Sequence, residues 1–253
     1  MPSPFFITIA VIAAFASGLS KSNFAVSLGA VSVPLLAVVM PARDAAGMML
    51  PILCLMDVIA ILVYRREVDW KVYRIMIPGA LVGTLIGWLL SAHVSEAVVG
   101  LAVGLISLLF VLDAWLPLRK KLEGLPPSRP WGALWGGVAG FTSFISHTGG
   151  PPYQIYAVPL RLQPVVFAGT TAVFFATVNY AKLVPFYFLG QLSVANLELA
   201  AALVPVALAG MVTGIYLVRR VDSKIFYQFA YVLIFLLSLD LIYEGVRGIW
   251  FNA

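Results

Sequence analysis

The residues able to do chemistry in this chain are few, and they sit where an apolar sequence would not ordinarily carry them. Between two long apolar runs lies Gly140-Phe141-Thr142-Ser143-Phe144-Ile145-Ser146-His147-Thr148-Gly149-Gly150-Pro151-Pro152, crowded with hydroxyls and holding one of only 2 histidines. Thr148-Gly149-Gly150 is expected to break the preceding helix, and Pro151 and Pro152 suit the first turn of a new one, where a missing N–H costs nothing. A fresh helix start presents unpaired N–H groups and the positive end of the helix dipole, which together attract an anion. A second polar interruption, Gly18-Leu19-Ser20-Lys21-Ser22-Asn23 with Ser27 just beyond, adds a cation. Ser22 or Asn23 is placed to cap the half-helix that follows. Two half-helix N-termini and one lysine converge on something small and negative. The expected binding set is Lys21, Ser22, Asn23, Ser27, Ser146, His147, Thr148, Gly149, Gly150 and, from a later segment, Asn179.

Each of these residues has a plainer reading. Lys21 can snorkel to the headgroups from the end of a short helix, although charges within a membrane are usually functional. His147 fits substrate or proton handling about as well as it fits satisfying the backbone exposed at a break. Asp57 has the spacing of a residue deep in its helix, so it is expected to be protonated or paired with a cation such as Lys21. Lys182 is expected either to serve with Asp57 in coupling or a structural ion pair, or to snorkel at an outer helix end.

Composition fixes the solvent. Of 253 residues 62% are hydrophobic and only 11% charged, too apolar for a water-soluble globule and too long for a single anchor. The chain is expected to be an all-α polytopic membrane protein embedded in lipid. The first apolar segment lacks a basic flank and a small-residue cleavage site, and reads as part of the mature fold. Cys54 is the only cysteine, which excludes an internal disulfide and suits a core position. The net charge of +5 comes from loops, not a basic patch, so nucleic acid is not an expected partner. His93 and His147 are far apart in sequence, so no metal site is expected. No nucleotide-binding loop and no cofactor motif is present; energy would come from gradients of substrate, protons or a counter-ion. The sequence fixes no oligomeric state, a homodimer included.

Apolar segments fall near 4–18, 24–40, 46–64, 73–91 and 96–116. They resume near 131–147, 150–160, 165–188, 197–218 and 225–246. Six of them, the third to fifth and eighth to tenth, reach the ~20 residues a bilayer requires; the first, second and seventh are short. The linker at 117–130 divides the chain into halves at 1–116 and 131–253 within one transmembrane domain spanning 1–253. The halves repeat. Gly18 and Gly140, Ala46-Gly47 and Ala168-Gly169, and Asp57 and Asn179 all share the offset 168 − 46 = 122. Pro78, Gly83 and Gly87 match Pro205, Gly210 and Gly214 at 205 − 78 = 127, and glycines four apart let helices approach closely. Basic residues cluster at 65–74 (Arg65, Arg66, Lys71, Arg74), in the linker (Arg119, Lys120, Lys121, Arg129) and at Arg219, Arg220 and Lys224. The positive-inside rule puts these loops in the cytoplasm and the uncharged 189–196 loop outside. The repeats are therefore expected to be inverted, each a broken or re-entrant helix pair followed by three transmembrane helices, with both termini external. Inverted repeats with breaks in matching positions mark secondary transporters that bind at the midplane.

The run Ser143 to Pro152, followed by Pro159, Gly169-Thr170, Phe174, Asn179, Lys182, Pro185 and Leu189-Gly190, resembles the sulfite exporter TauE/SafE family. Gly18-Leu19-Ser20-Lys21 with Phe24, and Leu50-Pro51 through Asp57 with Tyr64, carry the same resemblance in the first half. It implies export of a sulfur-containing anion, such as sulfite, sulfate or an organosulfonate, across the bacterial inner membrane. Ser22-Asn23 and Ala25-Val26-Ser27 stand where similar members carry glycines, a departure that would narrow the cavity or add donors. Two other classes compete. An anion channel would use the same helix ends and lysine. An intramembrane hydrolase would need Ser146 and His147 to face each other, which adjacent residues do poorly, and no group to orient the base is visible.

Overall fold

A computed structural model describes residues 3–21, 31–91, 93, 95–116, 128–217 and 223–251. Its helices are α1 (Pro4–Lys21), α2 (Ser32–Ala37), α3 (Ala42–Tyr64), α4 (Trp70–Ser91), α5 (Glu96–Trp115), α6 (Arg129–Ser146), α7 (Gly150–Ala157), α8 (Pro164–Phe188), α9 (Val194–Leu217) and α10 (Ser223–Phe251). A short 3-10 turn, Val158–Leu160, follows α7, and no strand occurs among the described residues. The fold is all-α. Helix ends follow local chemistry. Asp69 Oδ1 accepts from the N–H groups of Lys71 and Val72 at 2.9 and 3.0 Å and starts α4. Prolines occupy the first turns of α6, α7 and α8, and Gly190 (φ 70°) turns the chain after α8.

Five helices among the described residues are long and apolar enough to cross a bilayer: α1, α3, α4, α8 and α9. The first segment, expected to be short, is corrected: its helix continues past the apolar run through Gly18 to Lys21 and reaches 18 residues. By contrast α2 has 6 residues and α7 has 8. At ~1.5 Å per residue these rise about 9 and about 12 Å against ~30 Å of hydrocarbon, so neither crosses. Most residues of both are buried against the rest of the bundle, the setting in which a short helix is tolerated at membrane depth. Large apolar side chains such as Leu62, Val63, Leu109, Val212 and Phe188 point outward, as they do where the solvent is lipid.

The centre is the pair α3 and α8, flanked by α4 packed on α6, α1 on α9, and α5 on α10. Glycines set the closest approaches. Gly79 and Gly83 of α4 face the backbone of Ala133 and Gly137, while Gly136 and Gly140 of α6 face Met76 and Ala80. Positions along α4 meet successively later positions along α6, so the two helices run parallel. Gly18 of α1 lies against Ala207 of α9, and Gly210 of α9 against Phe15 of α1. A Cβ at any of these places would overlap the opposite backbone, so the repeated small residues read in the sequence are what lets these helices touch.

Candidate functional site

The break after α6 is made by His147, not by the glycines. His147 takes the left-handed conformation (φ 56°, ψ 22°), and its N–H returns to Ser143 O at 3.1 Å. Gly149 has φ −69° and ψ −16°, and Gly190 is the one described glycine at positive φ. Gly149 therefore does not need a torsion that only glycine tolerates, and the break expected at Thr148-Gly149-Gly150 begins at His147 instead. Gly149 is required for space instead: a Cβ there would stand 2.6 Å from Ala139 O and 2.8 Å from Ser143 Cβ. It faces α6.

Ser146 and Thr148 serve the same break. Ser146 Oγ and Thr148 Oγ1 share a 2.7 Å hydrogen bond, and both hydroxyls reach Thr142 O at 3.4 Å. Both residues are buried, so their polar groups satisfy the carbonyls that the end of α6 leaves open. The start of α7 has few donors of its own. Pro151 and Pro152 have no N–H, and Tyr153 N–H bonds Gly149 O at 3.1 Å. That leaves the N–H groups of Gly149 and Gly150, together with the helix dipole, at this terminus.

A cavity of ≈ 80 Å³ lies between the end of α1 and the break after α6, large enough for a small ion or a few waters. Its polar wall comes from Ser17, Ser20 and Lys21 at the end of α1, Asp57 on α3, Ser143 and His147 on α6, and Thr171 and Asn179 on α8; Gly150 and Pro151 of α7 close one end. Of the residues expected to hold an anion, Lys21, His147, Gly150 and Asn179 line this space together. Ser146, Thr148 and Gly149 do not line it. Ser22, Asn23 and Ser27 lie outside the described residues. Ser17, Ser20, Ser143 and Thr171 were missed. The offset of 122 pairs Ser143 with Lys21, a relation the sequence already contained.

The charges form one cluster. Asp57, fully buried, takes Lys21 Nζ on Oδ1 and Asn179 Nδ2 on Oδ2, the latter at 2.6 Å. The carboxylate thus joins α1 to α8 through α3, and two residues matched by the repeat meet at the centre of the molecule. Lys182 neither snorkels nor forms the expected ion pair with Asp57. It is 0% exposed, so it does not snorkel. Its amine does not pair with Asp57; it donates to Ser143 O and Ser143 Oγ at 3.0 Å each and to His147 Nδ1 at 2.8 Å. His147 Nε2 meets Ala46 O at 2.9 Å. A ring that accepts at Nδ1 must donate at Nε2, the pattern of the neutral Nε2–H tautomer. The imidazole therefore ties the tip of the α6–α7 hairpin to α3 on one side and α8 on the other.

Five long apolar helices, with a cation and hydroxyls bordering a small cavity between them, define a multi-pass membrane protein. Residues 10–241 match the family model of the sulfite exporter TauE/SafE, and the chain belongs to that family, a family of membrane transporters. No curated protein and no solved structure matches the chain.

Proposed function

We propose that the protein is a secondary transporter that exports a small sulfur-containing anion across the bacterial inner membrane. The observation that carries this reading is Lys21, bordering the cavity and paired with a fully buried carboxylate. An anion entering the cavity competes with Asp57 for the same ammonium, so occupancy rearranges the contacts that join α1, α3 and α8. Asn179, His147 and the N–H of Gly150 complete the binding surface, and the positive end of α7 faces it. Proton or counter-ion coupling acts through Asp57, the carboxylate that Lys21 releases when it turns to the substrate.

An inverted repeat supports alternation between faces. Exchanging the halves maps α4 on α6 to α9 on α1, and α3 on α9 to α8 on α4, and each of these pairs is in contact. Gly47 of α3 lies under the Gln191 carbonyl of the loop after α8, and Gly169 of α8 lies under the Glu67 carbonyl of the loop after α3. In this reading the α1–α2 hairpin enters from outside and the α6–α7 hairpin from inside. Lys21 ends the first helix of one hairpin, His147 is the tip of the other, and both chain ends are external.

The test is uptake into proteoliposomes across a panel of sulfite, sulfate and simple sulfonates. Saturable uptake with counterflow of at least one of them is expected. A linear flux that never saturates would replace the carrier with a channel, and conversion of substrate by the detergent-purified protein would replace it with an enzyme. Uptake of none of the panel would remove sulfur anions as substrates.

A further inference from the structure

The cavity is off-centre. It reaches from Asp57 and Asn179 along the C-terminal part of α3, at Ala60, and the N-terminal part of α8, at Ala168 and Thr171. That is the side of the 65–69 loop. On the opposite side the residues matched by the 122 offset are Lys182 for Ala60, Ala46 for Ala168 and Met49 for Thr171. None of these three lines the cavity; all are buried, at 0%, 2% and 0% against 3%, 6% and 7% for their counterparts, and Phe186, also 0% exposed, packs against Phe144 and His147. Where the present cavity has a methyl group, its mirror position has an amine.

We infer that Lys182 is a second anion-binding residue of the transport site, held here behind Ser143 and His147 and bared to a mirror cavity when the site turns to the opposite face. The inference rests on the carrier reading above and names the residue that receives the anion after Lys21. The three acceptors around Nζ match the three donors of an ammonium. None is a carboxylate, and among the described residues no ion pair involves Lys182. A cation buried without a counter-charge is costly inside a membrane, and an arriving anion supplies that charge. Two of its partners, Ser143 and His147, are themselves walls of the present cavity, so a single layer of side chains separates Lys182 from that cavity. Displacing His147 and Phe186 would bare the amine toward the 189–193 loop.

The experiment uses the full chain with Cys54→Ala and a single cysteine at Ala168 or at Ala46, reconstituted and treated with membrane-impermeant maleimide from either side. Ala168→Cys should react from the side of the 65–69 loop and Ala46→Cys only from the side of the 189–193 loop. In parallel, sulfite counterflow is titrated from each side for Lys182→Gln, Lys182→Arg and Lys21→Ala. Lys182→Gln should raise the half-saturating sulfite concentration at least about 10-fold from the 189–193 side and less than about twofold from the other; such a loss corresponds to about 1.4 kcal/mol. Lys182→Arg should recover most of it. An equal rise on both sides, or no rise on either, would overturn the inference and leave Lys182 as a residue that positions His147. So would an Ala46→Cys that never reacts from the 189–193 side, a readout that stands even if Lys182→Gln fails to fold or sulfite is not carried. Lys21→Ala separates the two levels. If it is silent while Lys182→Gln acts from one side, Lys21 drops out of the proposed site and Lys182 remains an anion-binding residue of the carrier.

Discussion

The pairing of Lys21 with Asp57 gives a double-mutant test of whether the lysine serves the fold, the substrate or both. Lys21→Ala strips the counter-charge from a carboxylate that is 0% exposed and leaves it the amide of Asn179. Removing one partner of a buried pair costs about 3–5 kcal/mol. Because the Lys21 side chain is 17% exposed and its pair borders a cavity, the lower end, about 3 kcal/mol, is expected. Asp57→Asn keeps the shape and a hydrogen bond to Asn179, and leaves the ammonium beside the cavity, at a cost of about 1 kcal/mol. With both charges gone, the double variant should recover about 2 kcal/mol relative to Lys21→Ala, the signature of coupled residues in a cycle. Binding follows the opposite logic. The double variant still lacks the cation, and loss of a charge-assisted hydrogen bond of about 2 kcal/mol weakens sulfite affinity about 30-fold. Asp57→Asn alone should bind sulfite more tightly than the wild type, because it removes the competing anion, while slowing transport. Thermal stability and sulfite binding are measured on the same four purified proteins. A double variant that is both stable and normal in sulfite affinity would refute the argument and leave Lys21 as a counter-ion only.

Three further outcomes are expected. Single cysteines at Glu67 and Ser193, in a Cys54→Ala background, should label from opposite sides of the membrane; Ser193 is used because Gln191, in the same loop, is buried. Labelling from one side would remove the inverted arrangement. Gly149→Val should cost about 1–3 kcal/mol of stability through overlap with Ala139 and Ser143, so thermal shift should fall before affinity does, and a variant as stable as the wild type would contradict the packing. His147→Ala keeps a β-carbon in the left-handed conformation and removes an acceptor from Lys182. His147→Gly removes the same ring and relieves the backbone by about 1 kcal/mol, so the glycine variant should be the more stable, with sulfite affinity weakened alike in both at every pH. Retained affinity with lost pH dependence would instead assign the ring to proton transfer.

Much of the architecture was legible because a bilayer enforces it. Every backbone group in hydrocarbon must be paired within its own helix, so runs of apolar residues translate directly into helices. The polar interruption at His147 to Gly149 marks a place where that rule is relaxed, while the one read at Gly18 to Lys21 is helical and its continuation lies outside the described residues. The Lys21–Asp57 contact was anticipated as one option, since a buried carboxylate must be neutralised or paired. The roles within Ser146 to Gly150 were not legible. Side chains of one short stretch point in several directions, and spacing alone does not tell a hydroxyl that caps α6 from one that meets a solute. Nor does it tell a glycine needed for torsion from one needed for room.

Residue type and spacing along one chain were enough for the solvent, the helices, the break after α6 and the matched positions of Asp57 and Asn179. The tertiary structure alone decided which of the two lysines faces Asp57. Lys21 and Lys182 are equally cationic on paper, and only the packing of α1 and α8 against α3 puts one ammonium on the carboxylate and the other behind Ser143 and His147. The physical reason is that a charge acts over a few ångströms, while the residues supplying its partners lie 36 and 35 positions away along the chain.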